Sequence, residues 1–470
     1  MDRTFRNLMV AMICGSVLSS GTAPYIITAL LKDMDASLTQ MALVPFIIQC
    51  GGFLGLPLAC LLGRMDPKRV TILMLFLGRT SLVFLALLLL TPLCGGGLGP
   101  TLILSFYAAS VVIGASAGGP ANLWFRDVVP SRLQGSFLGR RNAYGSLVVA
   151  ALMPLFGYIL DKCSAHGIST GSVFPILMII PFAAGYLDLY FLSKVEPVHP
   201  HAERPFIGAM PEFLSAFRNK AVWRATIVPM LSVSGVLLLS PFSIILCFEL
   251  GMSGLATGLL MASSALGVAC GMIYGGRLAD KSMEFVGRIF TWLPLVLATL
   301  VALLAVLATL VFSGIISVAY ATAPVILCTL SMAFFQGVLQ SAQVKYTLSE
   351  LRDGGVVAFS LLISLQNLGC MALLGASIWL GSWASAHAAG IRAFIPGFHY
   401  LHLIFACSIT SGAMASISLR RRGLCVSNGR LVFKRSSKPD FAGCPSRSRG
   451  LTNSANNGDA TAWKIGRAHV

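Results

Sequence analysis

Twelve apolar stretches follow one another along this chain, near 8–31, 41–62, 70–93, 101–125, 142–160, 173–193, 223–246, 252–273, 289–311, 317–341, 356–383 and 399–419. A helix needs roughly 20 apolar residues to cross the hydrocarbon core of a bilayer. A barrel strand needs only about ten, alternating in polarity. The pattern predicts an all-α membrane protein with twelve transmembrane helices. Only 11% of the residues are charged, against about 25% in a soluble domain, so a single water-soluble core of this size is excluded. No small-residue cleavage site follows a short apolar core at the start, so the first stretch is expected to be a retained helix and not a removed leader.

The formal net charge of +17 invites a nucleic-acid reading, but the positions of the charges give another. Nineteen Lys and Arg lie at Arg3 and Arg6 and in the alternate connections 63–69, 126–141, 194–224, 274–288 and 342–355. The intervening connections hold three, Lys32, Lys162 and Arg392. Cytoplasmic loops carry this excess in multi-pass proteins. Both termini are therefore expected in the cytoplasm, with the chain in the cytoplasmic (inner) membrane, the lipid bilayer as its surroundings and no nucleic-acid partner. The twelve cysteines form no CxxC pair, and Cys14, Cys50, Cys270 and Cys328 fall within spans as small apolar residues. Cys94 and Cys163 fall in intervening connections and are read as free thiols.

The longest internal polar stretch, 194–222, carries Pro197, Pro200, Pro205 and Pro211. It reads as a cytoplasmic linker between a first six-helix bundle, 1–193, and a second, 223–420. The halves resemble each other. A shift of 217 positions sets Pro24 on Pro241 and Arg64 on Lys281, and a shift of 216 sets Gly51 and Gly55 on Gly267 and Gly271. Gly135 meets Gly354 at a shift of 219. Several matches at a nearly constant offset favour two homologous halves, an arrangement often found in transporters. Gly51/Gly55, Gly267/Gly271/Gly275 and Gly114/Gly118 each recur every four residues, on one helix face, where close helix approach is expected. From 421 onward the chain turns polar without periodicity and reads as a disordered tail. Its last residues, "IGRAHV", are what the sequencing-adapter string ATCGGAAGAGCACACGTC encodes, so 465–470 are expected to be an artefact.

The string "GGRLADKSMEFVGR" (275–288) joins spans eight and nine. Gly276, Leu278, Ala279, Asp280, Lys281, Gly287 and Arg288 resemble the loop signature of the major facilitator superfamily. A first-half twin, "LLGRMDPKRV", supplies Arg64, Lys68 and Arg69, with Gly63 where the acid belongs and Asp66 three residues on. "RDVVPSRLQGSFLGRRN" (126–142) resembles that superfamily's connection between spans four and five. The resemblance covers about 1–420. It implies a secondary active transporter in which two bundles alternate access to a small-molecule substrate, with protons as the candidate coupling ion. Gly276, Asp280, Lys281 and Arg64 are expected to form a conformational latch, with Asp280 at a helix start accepting from free backbone N–H groups. Export is the first reading and an uptake symporter the second, with a non-transporting receptor or scaffold on the same fold as the alternative class. The chain is read as a monomer.

Ionisable residues within spans are functional candidates. Arg79 lies ten residues past Arg69, about 15 Å deep at ~1.5 Å per residue, and Asp188 lies about 9 Å in from Lys194 by the same rise. Arg79 is expected to reach toward Asp188, as a structural pair or as a proton or substrate site. The resemblance sets spans three and six away from the central cavity, which favours the structural pair. Uncharged polar candidates for the cavity are Tyr25, Thr28, Asn122, Gln336, Gln340 and Gln366, with Gln49 and Asn367 beside them. His399 and His402 sit three apart with no further ligand in view. There is no phosphate loop, nucleophile elbow, catalytic residue, cofactor motif or metal set, so an enzyme is not expected.

Overall fold

The computed structural model describes residues 2–61, 66–91, 98–128, 134–195, 209–239, 242–350, 356–388, 391, 399–421, 424–427 and 430–433. In chain order the helices are α1 (Asp2–Gly21), α2 (Pro24–Asp33), α3 (Leu38–Leu61), α4 (Pro67–Leu89), α5 (Gly99–Ser116), α6 (Gly118–Val128), α7 (Gln134–Ala165), α8 (Thr170–Leu177) and α9 (Ile179–Ser193). There follow α10 (Ala209–Arg218), α11 (Lys220–Leu239), α12 (Ser243–Glu249), α13 (Gly254–Lys281), α14 (Met283–Phe312), α15 (Val318–Glu350), α16 (Val356–Ala386) and α17 (Tyr400–Arg421). Among the described residues eleven helices or continuous helix pairs are long and apolar enough to cross a membrane, and Leu38–Leu54 is a shorter apolar helix where the second span is expected. Large apolar side chains such as Phe84, Leu90, Ile180 and Trp379 stand exposed on the helices, as a lipid solvent permits.

The first span is α1 and α2, broken where Pro24 opens the second piece, since proline has no N–H to continue the ladder. The seventh is α11 and α12, which end and begin at Leu239 and Ser243. Span four is α5 and α6 and span six is α8 and α9, so spans two, three and five are α3, α4 and α7, and spans eight to twelve are α13 to α17.

Packing repeats between the halves. Span one packs on five and six, two on four, and three on four and six. Span seven packs on eleven and twelve, eight on ten, and nine on ten and twelve. The two bundles meet through spans five and eight and through spans two and eleven. Advancing each by six positions exchanges these two pairs, as a two-fold pseudo-symmetry requires.

The glycines show the same relation. A Cβ on Gly51 would meet the Val111 carbonyl oxygen at 2.8 Å and the Ala115 Cβ at 2.9 Å. A Cβ on Gly267 would strike the Leu330 carbonyl oxygen and sit 2.9 Å from the Ala333 Cβ. Gly114 and Gly118 differ from expectation, because a Cβ on either meets nothing within 4 Å. Both border a hollow, although Gly114 also admits span three, since a Cβ on Gly78 would lie 3.2 Å from the Gly114 Cα.

Three further expectations change. The stretch 274–288 is helical throughout except Ser282, which both ends α13 and caps α14 by accepting from the Glu284 N–H at 3.1 Å. Part of the 194–222 linker is helix α10, which seats Ala216 in the core of the second bundle. The tail is not all irregular: β1 (Leu424–Ser427) pairs antiparallel with β2 (Arg430–Phe433), Ser427 opposite Arg430. The overlooked sequence signal is Asn428-Gly429 between two apolar runs, the commonest dipeptide of a two-residue hairpin turn. Residues 435–470, including the adapter-like end, lie outside the described residues.

Candidate functional site: the seam between the bundles and a charged hollow in the first

Because the spans alternate in direction, one face carries the N-terminus, α10 and Ser282, and is called the basic face. The opposite face carries the ends of spans one, five and seven. Side-chain contacts join the bundles at this opposite face, and further contacts lie nearer the basic face, where Ser364 Oγ donates to the Phe53 carbonyl at 3.2 Å and a Cβ on Gly139 would stand 3.6 Å from the Met272 carbonyl oxygen. Asp161, near the end of α7, accepts from the Gly254 and Leu255 N–H groups at 2.6 and 2.7 Å. A carboxylate there is poorly placed for its own helix dipole and well placed for the start of α13, whose first N–H groups have no intrahelical partners. Tyr25 Oη donates to the Gly254 carbonyl at 3.2 Å. Lys32 Nζ lies 4.4 Å from the Phe248 ring centroid, and the Thr39 and Ser382 hydroxyls are 3.0 Å apart.

Backbone meets backbone beneath these contacts. A Cβ on Gly254 would lie 2.8 Å from the Gly157 carbonyl oxygen, and one on Gly258 would lie 2.5 Å from that of Met153. The apolar cores follow the same division. Ala42 of span two is buried among residues of spans seven to twelve, and Ile244 of span seven among residues of spans one to six. Toward the basic face the clusters around Leu8 and Trp124 and around Phe290 and Tyr346 each belong to one half. The structure is therefore shut at the opposite face.

Of the residues singled out from sequence, Tyr25 and Thr28 are buried in α2, with Tyr25 committed to this seam. Gln366 Nε2 donates to the Ala225 carbonyl at 3.0 Å, and Gln343 Nε2 donates to Gln366 Oε1 at 3.4 Å. Gln366 thus ties span eleven to seven and ten. Gln336 and Gln340 are half-buried on α15. Asn122 lies on α6, but its side chain is outside the described residues. Asn367 Nδ2 donates to the Ile363 carbonyl of its own helix at 2.7 Å. Cys163 is a free thiol, and Cys94 is outside the described residues. His402 Nε2 lies 3.0 Å from the Thr309 hydroxyl, and His399 stacks on Phe312 at 4.1 Å. No group of three or more metal-ligating side chains occurs among the described residues.

The basic string needs the largest correction. Asp280 stands in the last turn of α13 and not at a helix start; Ser282 and Glu284 open the next helix, and Glu284 accepts from Arg288 at 2.6 Å. The side chain of Asp280 and all of Arg64 are outside the described residues. Lys281 is exposed, and a Cβ on Gly276 would meet nothing within 4 Å. In the first half Asp66 is the cap, accepting from the Lys68 N–H at 3.2 Å. Lys68 Nζ donates to the Ser193 and Val195 carbonyls at 2.8 and 2.7 Å, closing the end of span six. Asp66→Ala is expected to lower stability by about 1 kcal/mol, the usual loss of a cap. Asp280→Asn, at a helix end where a negative charge is disfavoured, is expected to leave it unchanged. Thermal unfolding in detergent checks both.

Arg79 and Asp188 meet. They form an ion pair between spans three and six, and Arg79 also donates to the Gly185 carbonyl. Both residues are buried. They line a cavity of about 380 Å³ whose lining residues all belong to the first bundle, Gly114, Gly118, Phe125 and Arg141 among them. Sequence reasoning missed Asp161 and Arg141, and also Glu350, which lies 3.3 Å from Arg224 with its side chain 1% exposed. Asp161, Arg141 and Arg224 stand at the ends of apolar stretches, where the positive-inside count treats charges as solvated.

No curated protein matches the sequence. Among solved structures, the E. coli fucose:proton symporter matches with a TM-score of 0.59 at 14% identity, over 90% of this chain and 98% of that one. A bacterial homologue of the iron transporter ferroportin, outward-facing, gives 0.54 at 14% identity, over 89% and 98%. A bacterial homologue of the human lysosomal transporter Spinster, inward-facing and unoccupied, gives 0.52 at 15% identity, over 88% and 93%. These likenesses concern the fold. The family model of the Major Facilitator Superfamily matches residues 8–373. With its two six-helix bundles fastened through spans two, five, eight and eleven, the chain belongs to the major facilitator superfamily.

Proposed function

We propose that this secondary transporter exports a small solute across the cytoplasmic membrane, with both termini in the cytoplasm and the fastened face outside. The observation that carries this is the seam. At the opposite face the bundles join, among the described residues, through one carboxylate on two backbone N–H groups, a few side-chain contacts and glycine-to-backbone packing. Each of these can part without unfolding either bundle, since each bundle keeps its own core toward the other face. Such an interface suits two discrete arrangements of rigid halves. In the alternate arrangement the string Gly276–Lys281, with Arg64, takes over the fastening at the basic face. A receptor or scaffold has no need of a seam that parts.

The orientation rests on the 19-to-3 distribution of Lys and Arg between the faces. A phosphatase fused after Arg421 is expected to be inactive outside the cell; activity there would reverse the assignment. Transport is tested with purified protein in vesicles, following uptake of a panel of neutral and charged solutes under an imposed proton gradient. Uptake of a solute at least tenfold above empty vesicles supports the reading, and its coupling to the gradient identifies protons as the driving ion. Vesicles that move no solute under any gradient favour the scaffold.

A further inference from the structure

We infer that the hollow inside the first bundle is a binding site for a compact amphipathic monoanion, a carboxylate on a small apolar body. Three ionised side chains line it: Arg79, Asp188 and Arg141. Arg79 and Asp188 satisfy each other. Arg141 faces the same carboxylate from across the hollow but makes no ion pair among the described residues. Its guanidinium carbon lies 4.5 Å from the centroid of the Phe125 ring, and its Nε is buried with no hydrogen-bond partner among the described residues. A cation that shares its one nearby acid with another cation is poorly compensated, and its five N–H groups form a fork that fits a carboxylate. The three charges sum to one excess positive charge in the hollow, which one monoanion cancels.

The remaining lining selects the rest of the ligand. Ser16, Ser19 and Thr71 spend their hydroxyl protons on carbonyls of their own helices, at 2.8, 3.0 and 2.7 Å. They offer no donor to compete with Arg141. Apart from Ser110 the other walls are apolar, from Leu8, Leu75 and Leu82 to Phe125. Gly114 and Gly118 leave the wall without side chains, where a Cβ would stand in open space. A cavity of about 380 Å³ is within the range that holds small organic ligands. It lies apart from the seam on which the transport reading rests, so either can fail without the other.

The test uses the full chain in detergent and calorimetric titration with benzoate, with benzamide as the uncharged isostere. Benzoate is expected to bind saturably and at least tenfold more tightly than benzamide. Arg141→Gln is expected to weaken benzoate by about tenfold or more, as loss of a charge-assisted contact does, with Arg141→Lys recovering part of it. Arg140→Gln, altering the exposed neighbour, is expected to bind like the parent. Equal affinity for benzoate and benzamide, no saturable binding, or an unchanged affinity in Arg141→Gln overturns the site. If Arg141→Gln aggregates on gel filtration, the benzoate-to-benzamide ratio of the parent decides.

Discussion

Asp188→Asn is expected to lower the stability of the protein in detergent by about 3–5 kcal/mol, the range found when one partner of a buried ion pair is removed. The change leaves Arg79 buried without its counter-charge, with the Gly185 carbonyl and at best a neutral amide oxygen to donate to, and a second cation, Arg141, in the same hollow. On its other side Asp188 is packed against Gly15, whose Cβ position is 2.9 Å from the carboxylate oxygen. Arg79→Gln strands the carboxylate in the same way, though the charge of Arg141 in the same hollow relieves part of the loss. The double change Arg79→Gln/Asp188→Asn removes both charges and is expected to cost less than either single change. Thermal midpoints of the four proteins check this. Additive losses would show that the pair does not couple.

Gly258→Leu is expected to prevent closure of the opposite face. Its Cβ position is already 2.5 Å from the Met153 carbonyl oxygen and 3.0 Å from the Pro154 Cα, and backbone cannot step aside as a side chain can. Overpacking of this kind costs about 1–3 kcal/mol, or more, in a packed site. Here the cost falls on the closed arrangement alone, because the contact lies between bundles. The ratio of the two arrangements then moves by about tenfold to a hundredfold away from the one described. Asp161→Asn acts in the same direction by weakening two charge-assisted bonds, by about 1.5–3 kcal/mol. Accessibility of Cys247, buried near the end of span seven, to a membrane-impermeant thiol reagent reads both. Labelling is expected to rise in both variants and to remain low in Gly276→Ala, where a Cβ meets nothing.

Much of this architecture was legible because lipid makes long apolar runs unambiguous. The twelve runs fixed the spans to within a few residues, and the constant offset between Gly51 and Gly267 reported the same helix contact in each half. The partnership of Arg79 and Asp188 could be read because two opposite charges within a hydrocarbon span have few ways to be satisfied. The seam was illegible for the converse reason. Asp161, Tyr25 and Gly254 belong to different spans, and nothing local in the sequence says which helix start an acid will cap. The clue in Asp161 is its sign, an acid in the last turn of a helix, where the dipole opposes it. Asp280 misled because a charged string between apolar runs was taken for a loop, whereas the helix runs on through it to Lys281. Gly118 misled because small residues border hollows as readily as they admit a neighbouring helix, whereas Gly114 does both, with Gly78 of span three against its backbone.

The central claim is that two rigid bundles exchange between two arrangements across this seam. Distances between paired spin labels in lipid vesicles test it most directly. One pair replaces Thr39 and Ser382 at the opposite face, where the hydroxyls are 3.0 Å apart. The other replaces Arg140 and Arg277, both exposed at the basic ends of spans five and eight. The account predicts two populations for each pair. Gly258→Leu should lengthen the first distance and shorten the second in the same sample. A single distance for each pair, unmoved by Gly258→Leu, would contradict it.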